Sequence, residues 1–203
     1  MPYKEKVISY LDKISNEAQA IKSVNTILNS NKKLIGFNTD YDAVLFALKK
    51  LKLSKNTKVM LLGFGGMAKT FLEGLKNLNL QNVYVATRKP LKSKKINFIR
   101  WKERQLIKPD LLINATPIGM NNRNSDSIIK LKKENNLNYL IDVVSNPINT
   151  KITQKAIKMN IVTIKGIELA LMQAKRQFEI YTNKTAPIEI MKKKLFSINT
   201  NEK

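Results

Sequence analysis

The chain has 203 residues, 43% of them hydrophobic, enough to bury a sizeable core in one large α/β body or in one body and part of a second. It contains no run of about eighteen apolar residues that would span a membrane, and its start, Met-Pro-Tyr-Lys-Glu-Lys, lacks an apolar signal region, so the cytoplasm is the default location. The absence of Cys and His excludes disulfides, thiolate chemistry, Ser-His-Asp triads and His-ligated metals, and leaves proton transfer to Lys, Asp, Glu or Tyr.

Apolar residues at Val7, Ile8, Leu11 and Ile14 predict a helix within Tyr3 to Ile14. Ser15 suits the N-cap of a short turn through Glu17 to Ala20. Val24 to Leu28 and Leu34 to Phe37 read as strands joined by the polar turn Asn29 to Lys33. Thr39 or Asp40 can cap a helix carrying Val44, Leu45, Leu48 and Leu51 on one side.

From Lys58 the pattern changes to alternating strands and helices, which predicts a doubly wound parallel sheet. The strands are expected at Val59–Leu62, Val83–Ala86, Ile96–Ile99, Leu111–Asn114, Leu140–Val144 and Val162–Ile164. Helices are expected at Gly66–Leu78 and Thr150–Met159, with a looser one near Lys102 to Leu106. Gly166 opens a long amphipathic helix to about Tyr181, and Pro187 suits the first turn of a last helix ending near Leu195. The tail from Ser197 to Lys203 is expected to fray.

Two motifs carry chemistry. The strand at Val59 runs directly into Gly63-Phe64-Gly65-Gly66-Met67-Ala68, a G-x-G-x-x-A turn opening a helix. Gly63 permits the tight turn, Gly65 lets a phosphate approach the backbone, and small Ala68 lets helix and strand pack closely. A pyrophosphate suits such a helix N-terminus; a strand-to-helix turn without a ligand is the plainer alternative. The second motif ends the next strand, Thr87-Arg88-Lys89, with Lys92, Lys94 and Lys95 beyond it. A carboxylate there would select the ribose hydroxyl of NAD, whereas Arg88 and Lys89 suit the extra phosphate of NADP. The plainer alternative is a solvated basic loop.

The net charge of +22 invites a nucleic-acid partner. The excess is mostly Lys, spread over the whole chain, and aromatic residues are not interleaved with it as a stacking platform would need. No specific nucleic-acid partner is therefore expected.

Further matches fall in one order along the chain: Pro2-Tyr3-Lys4, Asn25-Thr26, Asn38-Thr39-Asp40, the Gly63 turn, Asn114-Ala115-Thr116-Pro117-Ile118-Gly119-Met120, Asp142 to Pro147, and Gln173-Ala174. That order and spacing resemble the shikimate dehydrogenase family from Pro2 to about Leu195. The resemblance implies reversible NADPH-dependent reduction of 3-dehydroshikimate to shikimate, a small-molecule substrate, and a monomer or homodimer. It implies Lys4 and Asp40 as the catalytic pair. Asn25, Asp40, Gln173 and Ser145 would lie on the substrate, Ser145 standing where the family commonly has Tyr. Gly63, Phe64, Gly65, Gly66, Met67, Thr87, Arg88 and Lys89 would hold the cofactor, with Thr116, Met120, Val143 and Gly166 on its nicotinamide side. Without the resemblance Lys4 reads as one solvated lysine among many, Asp40 as a helix cap, and Met120 as core filler.

The resemblance also divides the chain into a partial substrate-binding domain (1–40), an NADP-binding, Rossmann-like domain (41–165) and C-terminal helices (166–203) that pack back on the first. Family members carry roughly sixty residues ahead of the Pro-aromatic-Lys motif, within an α/β substrate domain whose hydroxyls take the substrate carboxylate. Two alternatives follow: a non-catalytic NADP-binding remnant, and a basic nucleic-acid-associated protein on the same scaffold.

Overall fold

The computed structural model describes residues 3–93, 96–120, 128–132 and 136–198. Pro2, Lys94, Lys95 and the tail from 199 onward lie outside the described residues. The chain divides into two compact units: the first comprises Met1–Phe46 and Ala170–Lys203, the second Ala47–Leu169.

In the first unit a short 3-10 helix (Lys6–Tyr10) precedes β1 (Lys13–Ile14), α1 (Asn16–Ile21), β2 (Thr26–Ser30), β3 (Lys33–Phe37) and the start of α2 (Thr39–Lys50). The helix expected over Tyr3 to Ile14 is thus replaced by a single 3-10 turn and a strand. Pairing with β3 outweighs the local helical spacing: the Asp12 N–H donates to the Leu34 carbonyl (2.9 Å), and the Leu34 N–H donates to the Asp12 carboxylate (2.7 Å). Ser15 does cap α1, accepting from the Ala18 N–H at 3.2 Å. β2 and β3 form the expected hairpin, paired antiparallel from Thr26↔Phe37 to Ser30↔Lys33, with Asn31 and Lys32 both at positive φ in the turn. The resulting sheet has the order β1-β3-β2.

The cap of α2 is neither Thr39 nor Asp40, which lie within its first turn. It is buried Asn38, whose Oδ1 accepts from the Tyr41 N–H (3.2 Å) while its Nδ2 donates to the Ser23 carbonyl (2.9 Å). The remaining part of this unit is the rest of α5 (Gly166–Thr182) and α6 (Ile188–Ile198). α6 runs past Leu195 and takes in Ser197.

The second unit holds a six-stranded, all-parallel sheet of β4 (Val59–Leu62), β5 (Val83–Thr87), β6 (Asn97–Arg100), β7 (Leu111–Asn114), β8 (Tyr139–Asp142) and β9 (Val162–Ile164). Its strand order, β6-β5-β4-β7-β8-β9, reverses direction at β4, the signature of a doubly wound sheet. β4 and β7 are buried at every position, as strands covered on both faces must be. α3 (Gly66–Asn77) turns Ala68, Phe71 and Leu75 inward at helical spacing. α4 (Lys151–Lys158) buries Ile152 and Ala156 against a cluster that includes Leu112, Leu140 and Ile161. The looser helix near Lys102 is a 3-10 turn, Trp101–Gln105. β8 ends at Asp142, two residues before the expected Val144, because the chain turns there around the Asp142 side chain. Among the described residues no helix is long and apolar enough to cross a membrane.

Candidate functional site

Each unit carries one constellation. In the second, the C-terminal ends of β4, β5, β6 and β7 open onto a cavity of about 860 Å³, the edge at which open α/β sheets take ligands. Its lining includes Gly63, Phe64 and Gly65 from the glycine turn, Thr87, Arg88 and Lys89 from the end of β5, and Thr116 from the loop after β7.

The glycines do different things. Gly63 sits at φ +94°, and a Cβ there would press on the Thr116 methyl at 2.9 Å. Gly65 and Gly66 face open space, with nothing within 4 Å of the position a Cβ would take. Gly65 is also the N-cap of α3 and supplies no side-chain cap. An open, side-chain-free cradle at a helix N-terminus, with Arg88 and Lys89 at the same cavity, fits a phosphorylated dinucleotide.

Thr116, on this lining, is held by a buried polar network at the ends of β7 and β8. Asn114 Nδ2 donates to Asp142 Oδ1 (2.8 Å), and its Oδ1 accepts from the Thr116 hydroxyl (2.7 Å) and the Thr116 N–H (3.0 Å). Asp142 also accepts from the Thr150 hydroxyl (2.6 Å) and the Val144 N–H (3.2 Å). Burial pushes the Asp142 carboxyl above the usual carboxylate range, against the opposing pull of the hydrogen bonds from Thr150, Val144 and Asn114.

Not every residue singled out from the sequence reaches this cavity. Gly66, Met67, Met120, Val143, Ser145 and Gly166 are absent from its lining, and Met120 is exposed. Gly166 answers a packing need: a Cβ there would collide with the carbonyls of Val143 and Val144. Conversely, Lys69, Leu91 and Trp101 line the cavity without having been singled out.

In the first unit, the ammonium of Lys4 meets Asp40 Oδ2 at 2.7 Å, with the side chains 30% and 15% exposed. Lys4 is reachable by a ligand yet largely shielded from water. Main-chain pairing fixes it, since the Lys4 carbonyl accepts from the Val24 N–H (2.9 Å). Asp40 lies in the first turn of α2, where a carboxylate is favoured by the helix dipole.

Asn25, next along from Val24, is oriented by its neighbours. Its Oδ1 accepts from the Thr39 N–H (2.9 Å), so the amide has one possible orientation, and the Thr26 hydroxyl reinforces it at 2.9 Å. The Nδ2 that this leaves over is, among the described residues, the buried side-chain polar atom without a hydrogen-bond partner. A buried amide donor without an acceptor costs about 1–3 kcal/mol, a cost that a bound hydroxyl oxygen would remove. Gln173 lies half-buried on α5. One turn further on, Gln177 Nε2 donates to the Thr26 hydroxyl at 3.3 Å and extends the same polar group.

The reversing parallel sheet and its glycine turn define the second unit as a Rossmann-type fold. The family model described as the shikimate dehydrogenase substrate binding domain matches residues 1–27, which carry Lys4 and Asn25. A shikimate dehydrogenase-like protein of Haemophilus influenzae is 34% identical, over 94% of this chain and 73% of its own. A shikimate dehydrogenase (NADP(+)) of Clostridium beijerinckii is 36% identical, over 89% of this chain and 69% of its own. The shikimate 5-dehydrogenase of Thermus thermophilus, solved with NADP(H) and shikimate, superposes with a TM-score of 0.77 at 26% identity, covering 97% of this chain and 76% of that one. The chain belongs to the shikimate dehydrogenase family.

Proposed function

We propose that this protein is an NADP-dependent shikimate dehydrogenase, in which Lys4 and Asp40 carry the proton chemistry of the reversible reduction of 3-dehydroshikimate to shikimate. One observation supports it above the rest. Lys4 and Asp40 are paired at 2.7 Å on the same few elements that present the unpartnered amide of Asn25: an acid and a hydroxyl-binding donor, ready for a polyhydroxylated ring.

The second unit's own groups would hold the cofactor. The turn from Gly63 to Gly66 and the N-terminus of α3 take the pyrophosphate, and Arg88 with Lys89 takes the 2′-phosphate. Bound NADPH supplies a hydride to the ketone carbon of the substrate. The residues of this chain attend to the oxygen. The Lys4 ammonium hydrogen-bonds it, offsets the negative charge that builds there, and gives up a proton as the alkoxide forms. Asp40 holds that ammonium in place and accepts from a neighbouring ring hydroxyl. Asn25 and Gln173 orient the remaining hydroxyls, and the net charge of +22 favours an anionic ring acid and a phosphorylated cofactor alike. Localisation in the cytoplasm accords with this chemistry.

The test is calorimetric titration of the protein with NADP⁺ and with shikimate, followed by a nicotinamide absorbance assay with both present. Binding of each and reduction of NADP⁺ are expected. Binding of NADP⁺ without binding or oxidation of shikimate overturns the catalytic reading and leaves a nucleotide-binding protein.

A further inference from the structure

We propose that Trp101 is the platform on which the purine base of the bound nucleotide stacks, with Arg104 holding the indole in that pose; this rests on the cavity being the NADP(H) site and assigns its adenine end.

The register of the outer strands brings the relevant groups together. β5 and β6 are parallel, and Thr87↔Arg100 is their last pair. The next residues, Arg88 and Trp101, therefore leave neighbouring strand ends side by side. Both line the cavity, as does Leu91, an aliphatic side chain left 54% exposed. A guanidinium, an indole and an exposed aliphatic group in one pocket match a flat, electron-rich heteroaromatic ring. The indole and Leu91 do not match a phosphate, which Arg88, Lys89 and the glycine turn suit. The 2′-phosphate and the purine are borne by one ribose. A nucleotide with its 2′-phosphate on Arg88 and Lys89 must place its base within a few ångströms of them. Phe64, the other aromatic on the lining, belongs to the glycine turn, and its ring is engaged edge-on by Phe98 at 5.0 Å.

Trp101 is also ordered in advance. It opens the 3-10 turn whose start is tied by the Arg100 N–H donating to Glu103 Oε2 (3.0 Å). The Arg104 guanidinium packs over the indole, 4.5 Å from the ring centroid. Its Nη1 donates to the Trp101 carbonyl (2.7 Å), and its Nε donates to the Ile128 carbonyl. Arg104 does not itself line the cavity, whereas Trp101, which also packs against the core cluster of the second unit, does. A ring fixed before the ligand arrives loses little conformational freedom on binding.

Trp101 is the chain's single tryptophan, so its emission reports on this subsite alone. The probe is adenosine 2′,5′-bisphosphate, which carries the base and the 2′-phosphate but no nicotinamide. Titrated into the whole chain, it is expected to change the tryptophan emission with the dissociation constant that calorimetry gives, while nicotinamide mononucleotide leaves the emission unchanged. Trp101→Ala is expected to weaken the bisphosphate by about tenfold or more, and Trp101→Phe by much less, as loss of base stacking requires. Arg104→Gln is expected to lower the emission anisotropy of Trp101 and weaken the bisphosphate severalfold. Calorimetric binding with no change in emission, or a folded Trp101→Ala protein that binds as the parent does, overturns the assignment while the cofactor reading stands. No calorimetric binding of either the bisphosphate or NADP⁺ to the parent overturns both.

Discussion

Asn114 and Asp142 face each other as the last register pair of β7 and β8, and Asn114 Nδ2 donates to Asp142 Oδ1 across 2.8 Å with both residues fully buried. The pair fixes the two loops that leave these strands, because Asn114 also holds Thr116 and Asp142 also holds Val144 and Thr150. Asp142→Ala removes the acceptor of three buried donors, Asn114 Nδ2, the Thr150 hydroxyl and the Val144 N–H, and is expected to destabilise the protein by about 2–4 kcal/mol. Asp142→Asn keeps an acceptor for Asn114 and lets Thr150 accept instead of donate, so near-parent stability is expected. Urea denaturation of the two variants at neutral pH distinguishes them, and equal losses would show that the network is not what holds the site.

The same carboxyl sets a pH dependence. Burial raises Asp142 in the folded protein above its ordinary 3.8, so the folded state keeps this proton to higher pH than the unfolded chain does. Stability from this group is therefore fullest below the unfolded value and is lost as pH rises through the folded one. Asp142→Asn has no such loss. Its stability relative to the parent should improve as pH is raised from about 4 towards neutrality. Superimposable stability curves across that range would remove the effect.

Arg88 and Lys89 follow directly on β5, and both line the cavity, whose described lining residues include no carboxylate. Tighter binding of NADP⁺ than NAD⁺ by about tenfold, roughly 1.4 kcal/mol, is expected from a charge-assisted phosphate contact. Arg88→Ala should erase most of that preference while leaving NAD⁺ affinity almost unchanged. Calorimetry on the four combinations checks it, and a preference that survives Arg88→Ala would place the selection elsewhere.

What was legible in the sequence follows from what is local. The six strands of the second unit are short runs between turn residues, and the central two, β4 and β7, are wholly apolar but for Asn114 and buried on both faces, so their pattern needs no partner to be read. The helix expected over Tyr3 to Ile14 fails because β1 exists only through β3: Asp12 pairs with Leu34, and apolar spacing carries no record of a partner more than twenty residues away. The cap of α2 moves to Asn38 for a related reason, since Thr39 is spent on Asn25 rather than on its own helix. Among the residues that line the cavity, Gly63, Thr87 and Arg88 are legible because a turn or a strand end carries them. Trp101 is not, since its place beside Arg88 depends on the register of β5 with β6. Gln177 is signalled in the sequence only by its spacing, one helical turn beyond Gln173.

In the proposed reaction Lys4 meets the substrate only at the reacting oxygen, whereas Asp40 touches both Lys4 and a further ring hydroxyl. Lys4→Ala is thus expected to lower turnover by about a hundredfold or more with NADPH affinity unchanged. Asp40→Asn should lower turnover and also weaken shikimate binding. Asn25→Ala should act chiefly on shikimate affinity, since its buried Nδ2 is oriented by Thr39 and has no role in proton transfer. Steady-state kinetics with a parallel NADPH titration separates the three. Turnover in Lys4→Ala close to the parent's would remove Lys4 from the chemistry.

The glycine turn offers the sharpest separation of folding from binding. Gly63 stands at φ +94°, and a Cβ would meet the Thr116 methyl at 2.9 Å and the Ala115 carbonyl at 3.2 Å. Gly63→Ala therefore strains the backbone and displaces the loop that Asn114 holds, at a cost of roughly 1–3 kcal/mol in stability. Gly65 is different: its φ of −87° and ψ of −167° suit alanine, and nothing lies within 4 Å of the new methyl. Gly65→Ala should fold as well as the parent, yet its methyl occupies the cradle where a phosphate must approach the first turn of α3. Its NADP⁺ affinity is expected to fall by about tenfold or more, with the urea midpoint unchanged. Parent-like NADP⁺ affinity in Gly65→Ala would show that the pyrophosphate does not lie on this turn, and the open space at Gly65 and Gly66 would then need another occupant.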